Sequence, residues 1–160
     1  TFLYVTHDQE EALTMSDRLA VMREGEIEQL GPPEEVYTCP VSTYVAEFLG
    51  LANLMPATVV EQGTVEFGGR RLAADTRDVT GACVAFARPE RLRLTESSAG
   101  VLSGRVAEVV FVGSTTHVRV DAIDRQLQVV LPNDGSTWVP APGTEVGIDV
   151  PADSIRVLAV

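Results

Sequence analysis

Apolar and polar positions along this chain follow two different rhythms. From residue 53 onward they alternate. The segment THVRVDA sets Val118 and Val120 on one face and His117, Arg119 and Asp121 on the other. QLQVVL aligns Leu127, Val129 and Leu131, EVGIDV aligns Val146, Ile148 and Val150, and DSIRVLAV adds Ile155 and Val157. A period of two is the repeat of a strand with one buried face. Glycines and prolines punctuate these runs at Gly68 and Gly69, at Gly113, and across 132–135 and 140–143. Several short alternating strands separated by such turns predict a small β-barrel or sandwich.

The first fifty residues obey no single period. Residues 2–6 form a short apolar run, the pattern of a parallel strand covered on both faces. Asp8 suits a helix N-cap, and Glu11 three places on completes a capping-box pattern, which predicts a helix over Gln9–Met15. RLAVMREGEIEQLG predicts two short strands around Glu24 and Gly25, with Gly25 supplying the positive φ of a tight turn. Glu24, Glu26 and Glu28 alternate along that hairpin as a solvated face. Gly31, Pro32 and Pro33 break the chain and start a short helix through Tyr37. Ser42 caps another, with Tyr44, Val45, Phe48 and Leu49 on one face and Gly50 at its end. The rhythm changes across 50–54, which predicts two domains, 1–50 and 51–160. The fold class is mainly β with a small α/β N-terminal part.

Composition narrows what such a chain can do. The formal charge of −11 is uneven: residues 1–50 hold ten acids against two arginines, and the remainder thirteen acids against ten arginines. That surface repels phosphate backbones, so nucleic acid is not an expected partner. No apolar run approaches the roughly 20 residues that span a bilayer, and the start does not read as a signal peptide. Cys39 and Cys83 fit no metal or redox spacing and read as two unpaired thiols of a cytosolic chain. No metal site is expected. All twelve basic residues are arginines, and lysine is absent.

A specific resemblance emerges from YVTHDQEEALTMSDRLAVMREGEIEQLGPPEEVY, followed by Pro40, YVAEFLG and Asn53. This segment resembles the end of the ATP-hydrolysing subunit of a bacterial ABC importer of the polyamine, iron or sugar type. The second half, with ARPERLRL and FVGSTTHVRV, is similar to the accessory TOBE domain of those subunits, an oligonucleotide-binding (OB)-like β architecture. The resemblance implies a C-terminal remnant of a P-loop ATPase domain over 1–50 and a TOBE barrel or sandwich over 51–160. It implies that His7 is the switch histidine that contacts the γ-phosphate of ATP, with Thr6, Asp8, Gln9 and Glu11 completing its motif. The whole protein then uses ATP and Mg2+, pairs with a second copy of itself, and works at the inner face of the cell membrane through permease subunits.

For these 160 residues the same resemblance implies no activity alone, and no cofactor. A phosphate-cradling Gly-x-x-x-x-Gly-Lys loop requires a lysine. The metal-binding aspartate, catalytic glutamate and signature loop of the family precede the switch histidine. LSGR at Leu102 superficially resembles that signature but sits in an alternating β region. Taken alone, without the motif around it, His7 reads first as a capping or surface histidine.

Arg88, Pro89 and Glu90 are a hallmark of the family, with Pro89 fixing a turn whose flanking charges pair with each other or with a partner domain. Gly113, Ser114, Thr115 and Thr116 read first as turn chemistry between two strands, and their hydroxyls and N–H groups offer an anion cradle as the second reading. Because some relatives of the TOBE domain hold molybdate-like anions, a small-oxyanion binder is the alternative function. His117 reads as an outward-facing strand residue, and Trp138 as a cover for one end of the barrel. FLGLANLMPATV lacks the Ser-Pro-x-Met-Asn of resembling sugar importers, which favours a polyamine or iron system.

Overall fold

The computed structural model describes residues 2–96 and 100–160. They divide into two compact units, Thr1–Leu51 and Ala52–Val160.

The first unit orders as α1 (Gln9–Met15), β1 (Leu19–Arg23), β2 (Glu26–Gly31), α2 (Pro33–Thr38) and α3 (Thr43–Phe48). Strands β1 and β2 pair antiparallel, with Arg23 opposite Glu26. Glu24 (φ +53°) and Gly25 (φ +89°) make the two-residue turn, and two positive φ values are what a tight right-twisting hairpin needs. Leu19, Val21, Val36, Val45 and Leu49 are buried together, with Ala12, Leu13, Tyr37 and Tyr44 packed around them.

Three expectations are corrected in this unit. Residues 2–6 form no strand and are largely exposed, because no described strand lies alongside to complete a ladder. On α3 the buried residues are Val45 and Ala46, whereas Phe48 is exposed. Phe48 stacks instead on Tyr44 with ring centroids 5.8 Å apart, and the Arg23 guanidinium lies 5.0 Å from the Tyr44 centroid. Glu28 is half-buried rather than solvated, because it accepts a 2.8 Å hydrogen bond from Ser42 Oγ.

Among its described residues the second unit contains ten strands: β3 (Asn53–Glu61), β4 (Thr64–Phe67), β5 (Arg70–Ala73), β6 (Gly81–Ala87), β7 (Arg93–Glu96), β8 (Leu102–Val112), β9 (Thr115–Ala122), β10 (Arg125–Pro132), β11 (Glu145–Asp149) and β12 (Arg156–Ala159). They form two five-stranded sheets, ordered β12-β6-β3-β4-β5 and β10-β9-β8-β11-β7. Every strand pair is antiparallel. Register brings Val118 opposite Val129 and Val120 opposite Leu127, so the alternating apolar residues of neighbouring strands share one face. Met55, Val65 and Ala85 from the first sheet and Val118, Val129 and Ile148 from the second belong to one continuous core.

Of the apolar residues aligned by alternation, Val118, Val120, Leu127, Val129, Leu131, Val146, Ile148, Ile155 and Val157 are buried. Val150 is half-buried, because β11 ends at Asp149 and Val150 packs only against the margin of the core. Trp138 lies between β10 and β11 with half its surface exposed.

A contact between turns locks the two sheets. Gly68 (φ +56°) stands against Ile123, and a Cβ placed on Gly68 would lie 2.2 Å from Ile123 Cγ2. Ile123 (φ +49°) and Asp124 (φ +57°) form the β9–β10 turn without glycine. Positive φ is costly for a β-branched residue. Burial of the Ile123 side chain against the core offsets that cost.

Candidate functional site

His7 sits in the link between residues 2–6 and α1. Its neighbours on both sides are tied down. Asp8 is the N-cap: its Oδ1 accepts from the N–H groups of Glu10 at 2.9 Å and Glu11 at 3.1 Å. The capping box is not completed in the expected way. The Asp8 N–H donates to Thr6 Oγ1 at 3.0 Å, and Glu11 turns away to accept from Thr6 Oγ1 at 2.9 Å and Tyr4 OH at 3.1 Å. The hydrogen bond to the Glu11 carboxylate, together with its negative charge, raises the Tyr4 phenol above its ordinary pKa. His7 itself is exposed. Among the described residues its imidazole makes no hydrogen bond or ion pair. Gln9 begins the helix, with its Oε1 3.7 Å from where a Cβ on Gly50 would sit.

The Arg88, Pro89 and Glu90 segment lies at the end of β6. Pro89 opens a single 3-10 turn, Pro89–Arg91, and is buried. Arg88 is only 3% exposed, and its guanidinium carbon lies 4.9 Å from the Phe86 ring centroid. Glu90 is exposed, and both charged residues are engaged in further interactions. Next to them Arg91 pairs with Asp153, and its carbonyl accepts from Ser154 Oγ at 3.4 Å. These contacts pin the turn to the segment leading into β12.

Gly113 and Ser114 form the tight β8–β9 turn, with Gly113 at φ +63°, whereas Thr115 and Thr116, expected in the turn, already open β9. Asn133 occupies this turn. Its Nδ2 donates to Gly113 O at 2.8 Å, its N–H to Ser114 O at 2.9 Å, and its Oδ1 accepts from Thr116 Oγ1 at 2.7 Å. Asp134 follows, and its carboxylate accepts from the N–H and hydroxyl groups of Ser136 and Thr137 at 2.8–3.1 Å. Those donors favour the ionised form and lower its pKa from 3.8 to about 2. Asn133 thus ties together the Gly113 and Ser114 carbonyls and the Thr116 hydroxyl.

Asn53 has a role that its place in the motif only hinted at. It is 4% exposed at the start of β3, where its Nδ2 donates to Gln128 O at 2.8 Å and its Oδ1 accepts from Gln128 N–H at 2.7 Å. A single amide thus satisfies both backbone groups of one residue in β10. The detectable signal was an asparagine, a residue depleted in strands, standing just after the change of rhythm. Asp75 was also missed. It pairs with Arg156 at 2.5 Å and with Arg77 at 3.5 Å, while its backbone bridges to Ile155 and Val157.

No group of three or more histidine, cysteine or acidic side chains is arranged to hold a metal among the described residues. Cys39 and Cys83 are free, and burial raises the Cys83 thiol pKa. No helix among the described residues is long and apolar enough to cross a membrane. LSGR lies within β8, as its alternation implied.

Residues 85–158 match the TOBE domain family. Over 99% of its length the chain is 39% identical to the spermidine/putrescine import ATP-binding protein PotA of Ruegeria pomeroyi, covering 45% of that protein. It is 42% identical over 92% of its length to PotA of Rubrobacter xylanophilus, covering 42% of it. The chain therefore spans less than half the length of these curated relatives. Among solved structures it resembles the cytoplasmic molybdate-binding protein ModG, with a TM-score of 0.51 and 16% identity over 68% of this chain and 96% of ModG. That likeness is one of fold, and it agrees with the mainly β, OB-like architecture of the second unit.

Proposed function

We propose that this chain, similar to import ATP-binding proteins over most of its length and matching the TOBE domain family over residues 85–158, contributes the switch-histidine segment and accessory domain of a subunit that couples ATP hydrolysis to solute uptake. The observation that carries this reading is the similarity to import ATP-binding proteins across 99% of the chain. The names of those relatives favour polyamines as the solute class, with iron as the second choice.

His7 is the residue of this chain proposed to reach the nucleotide. Bound ATP with Mg2+ supplies the phosphoryl group and the metal that neutralises its charge; what the protein supplies is placed donors. An exposed imidazole that no described residue engages by hydrogen bond or ion pair fits the task of donating one hydrogen bond to a phosphate oxygen. Thr6, Asp8, Gln9 and Glu11 form its surrounding motif. A lysine-free chain supplies no phosphate-cradling lysine, so these 160 residues alone are proposed neither to bind ATP tightly nor to hydrolyse it. Arg88, Pro89 and Glu90 are assigned a structural role, since the buried arginine and the 3-10 turn join β6 to the approach to β12.

The proposed partners are permease subunits and a second copy of the chain, at the cytoplasmic face of the cell membrane. Exposed apolar residues Phe2, Leu3 and Val5 favour association. Light scattering that returned a constant monomer mass up to high micromolar concentration would remove that element. The oxyanion alternative is disfavoured by the acidic balance of the chain and by the commitment of the Thr116 hydroxyl to Asn133 Oδ1. Titration of the chain with molybdate or sulfate is expected to give no saturable heat.

The deciding experiment uses the complete subunit with its permease. His7→Ala is expected to abolish most ATP turnover while leaving the thermal unfolding midpoint near that of the parent. Near-normal turnover would overturn the reading.

A further inference from the structure

We infer that Glu11 is a positioning residue for His7, acting through Thr6 and Tyr4. The inference rests on the reading of His7 as a phosphate-contacting histidine. Its basis is a set of hydrogen bonds that closes around that residue. Glu11 Oε2 accepts from Thr6 Oγ1 at 2.9 Å and from Tyr4 OH at 3.1 Å, and Thr6 Oγ1 accepts from the Asp8 N–H at 3.0 Å. Asp8 in turn accepts from the N–H of Glu11 at 3.1 Å. His7 lies between Thr6 and Asp8, and both are bound to the first turn of α1. The backbone on either side of the imidazole is held, while the ring itself stays exposed.

The far end of this clamp is anchored. Ala12 and Leu13, the next residues on α1, pack against the buried cluster of the first unit. A carboxylate accepting two hydroxyl donors makes charge-assisted bonds, stronger than neutral ones. The upward displacement of the Tyr4 pKa is the same interaction seen from its partner. Capping does not require the Glu11 side chain, because Asp8 already accepts from the N–H groups of Glu10 and Glu11. The Glu11 carboxylate therefore acts on the residues that precede His7.

Placement is what phosphoryl transfer demands of a protein. A displacement of about 1 Å can cost on the order of a hundredfold in rate. Two readouts test the role. The chain contains two histidines, His7 and His117, so the imidazole C–H resonances of the 160-residue protein report both sites at once. Glu11→Ala is expected to shift the His7 resonance and leave His117 unmoved. Glu11→Gln, which keeps an acceptor oxygen, is expected to leave both near their native positions.

In the complete subunit with its permease, Glu11→Ala is expected to lower kcat roughly tenfold to a hundredfold. The KM for ATP is expected to stay within about twofold, the split that marks an interaction felt in turnover rather than in binding. Glu11→Gln is expected to restore most of the loss. His7→Ala in the same assay separates the two ideas. Retained turnover in His7→Ala overturns the reading of His7 itself. Lost turnover in His7→Ala with native turnover in Glu11→Ala, or an unmoved His7 resonance, overturns positioning by Glu11 alone. Movement of His117 along with His7, or failure of Glu11→Gln to restore kcat, also overturns it, because either outcome reports general unfolding or a different role.

Discussion

The two units of this chain bury apolar surface in different ways. Among the described residues the first unit has a buried cluster of five side chains, Leu19, Val21, Val36, Val45 and Leu49, drawn from a hairpin and two helical segments. The second has a cluster of twenty-one, drawn from both of its sheets. The first leaves Phe2, Leu3, Val5, Met15, Met22 and Ile27 exposed. The second alternates so regularly that most of its strand apolar residues find the interior. A unit with a sparse core opens at lower free energy than one with a dense core, and the residue proposed to meet a ligand lies in the sparse one.

The largest effects are expected in the second unit. Ile148→Ala removes a fully buried side chain from β11 and should cost about 2–5 kcal/mol. Denaturant unfolding followed by Trp138, the single tryptophan, measures it. The same contrast appears in native-state hydrogen exchange, where the amides of β1 and β2 should open before those of β9. Equal protection of the two sets would break the comparison.

Next is the contact between turns. Gly68→Ala would place a Cβ 2.2 Å from Ile123 Cγ2 at φ +56°, and should destabilise by about 1–3 kcal/mol. The double variant with Ile123→Ala should recover part of the loss, since contacting residues are not additive. Strict additivity would show that the backbone angle, not the contact, dominates.

Asn53→Ala should cost about 1–3 kcal/mol by leaving the Gln128 N–H and carbonyl without a partner. Asn53→Asp keeps the acceptor but sets a carboxylate against the Gln128 carbonyl, so it should recover little. Chemical denaturation of the three proteins ranks them, and equal stability would remove the bracket as a feature that matters.

The smallest effect concerns Asp134. Its folded pKa of about 2 lies below the ordinary 3.8, so its contribution is present above pH 3.8 and is lost as pH falls through about 2. The difference in Tm between the native chain and Asp134→Ala should be constant at neutral pH and close across that acid window. A difference that persists at pH 2 would mean that the carboxylate charge is not its source.

Much of this fold is legible locally. The helix over Gln9–Met15, its Asp8 cap, the turn at Glu24 and Gly25, and the cap at Ser42 all follow from residues within four positions of one another. The inward set of β9, β10 and β11 follows from alternation, which holds wherever one face of a sheet is covered. The misjudged places are those where a local rule met a distant fact. Residues 2–6 carry a strand-like composition, but a strand exists only with a neighbour to pair with. Phe48 has helical spacing for burial, yet the small Ala46 takes the inner position.

For the candidate site, the motif around His7 could be read from the sequence, but the direction of the Glu11 side chain could not. Glu11 in third place after an N-cap predicts a return bond to the Asp8 N–H. Thr6 Oγ1 reaches that N–H first and leaves the carboxylate to Tyr4 and Thr6. The choice turns on which acceptor lies nearer after the chain has folded back. Composition carries no trace of it.

The sequence by itself determined which residues alternate, where turns fall and which residues cap helices. Each of these is set by steric and hydrogen-bonding preferences acting over a few residues. Tertiary structure alone decided that Asn53 brackets Gln128, seventy-five positions away, that Gly68 must leave room for Ile123, and that Arg88 is buried against Phe86. It also decided the orders β12-β6-β3-β4-β5 and β10-β9-β8-β11-β7. Strand pairing and burial of polar groups depend on which partners meet across long loops, and closing such loops costs entropy that only the completed core offsets.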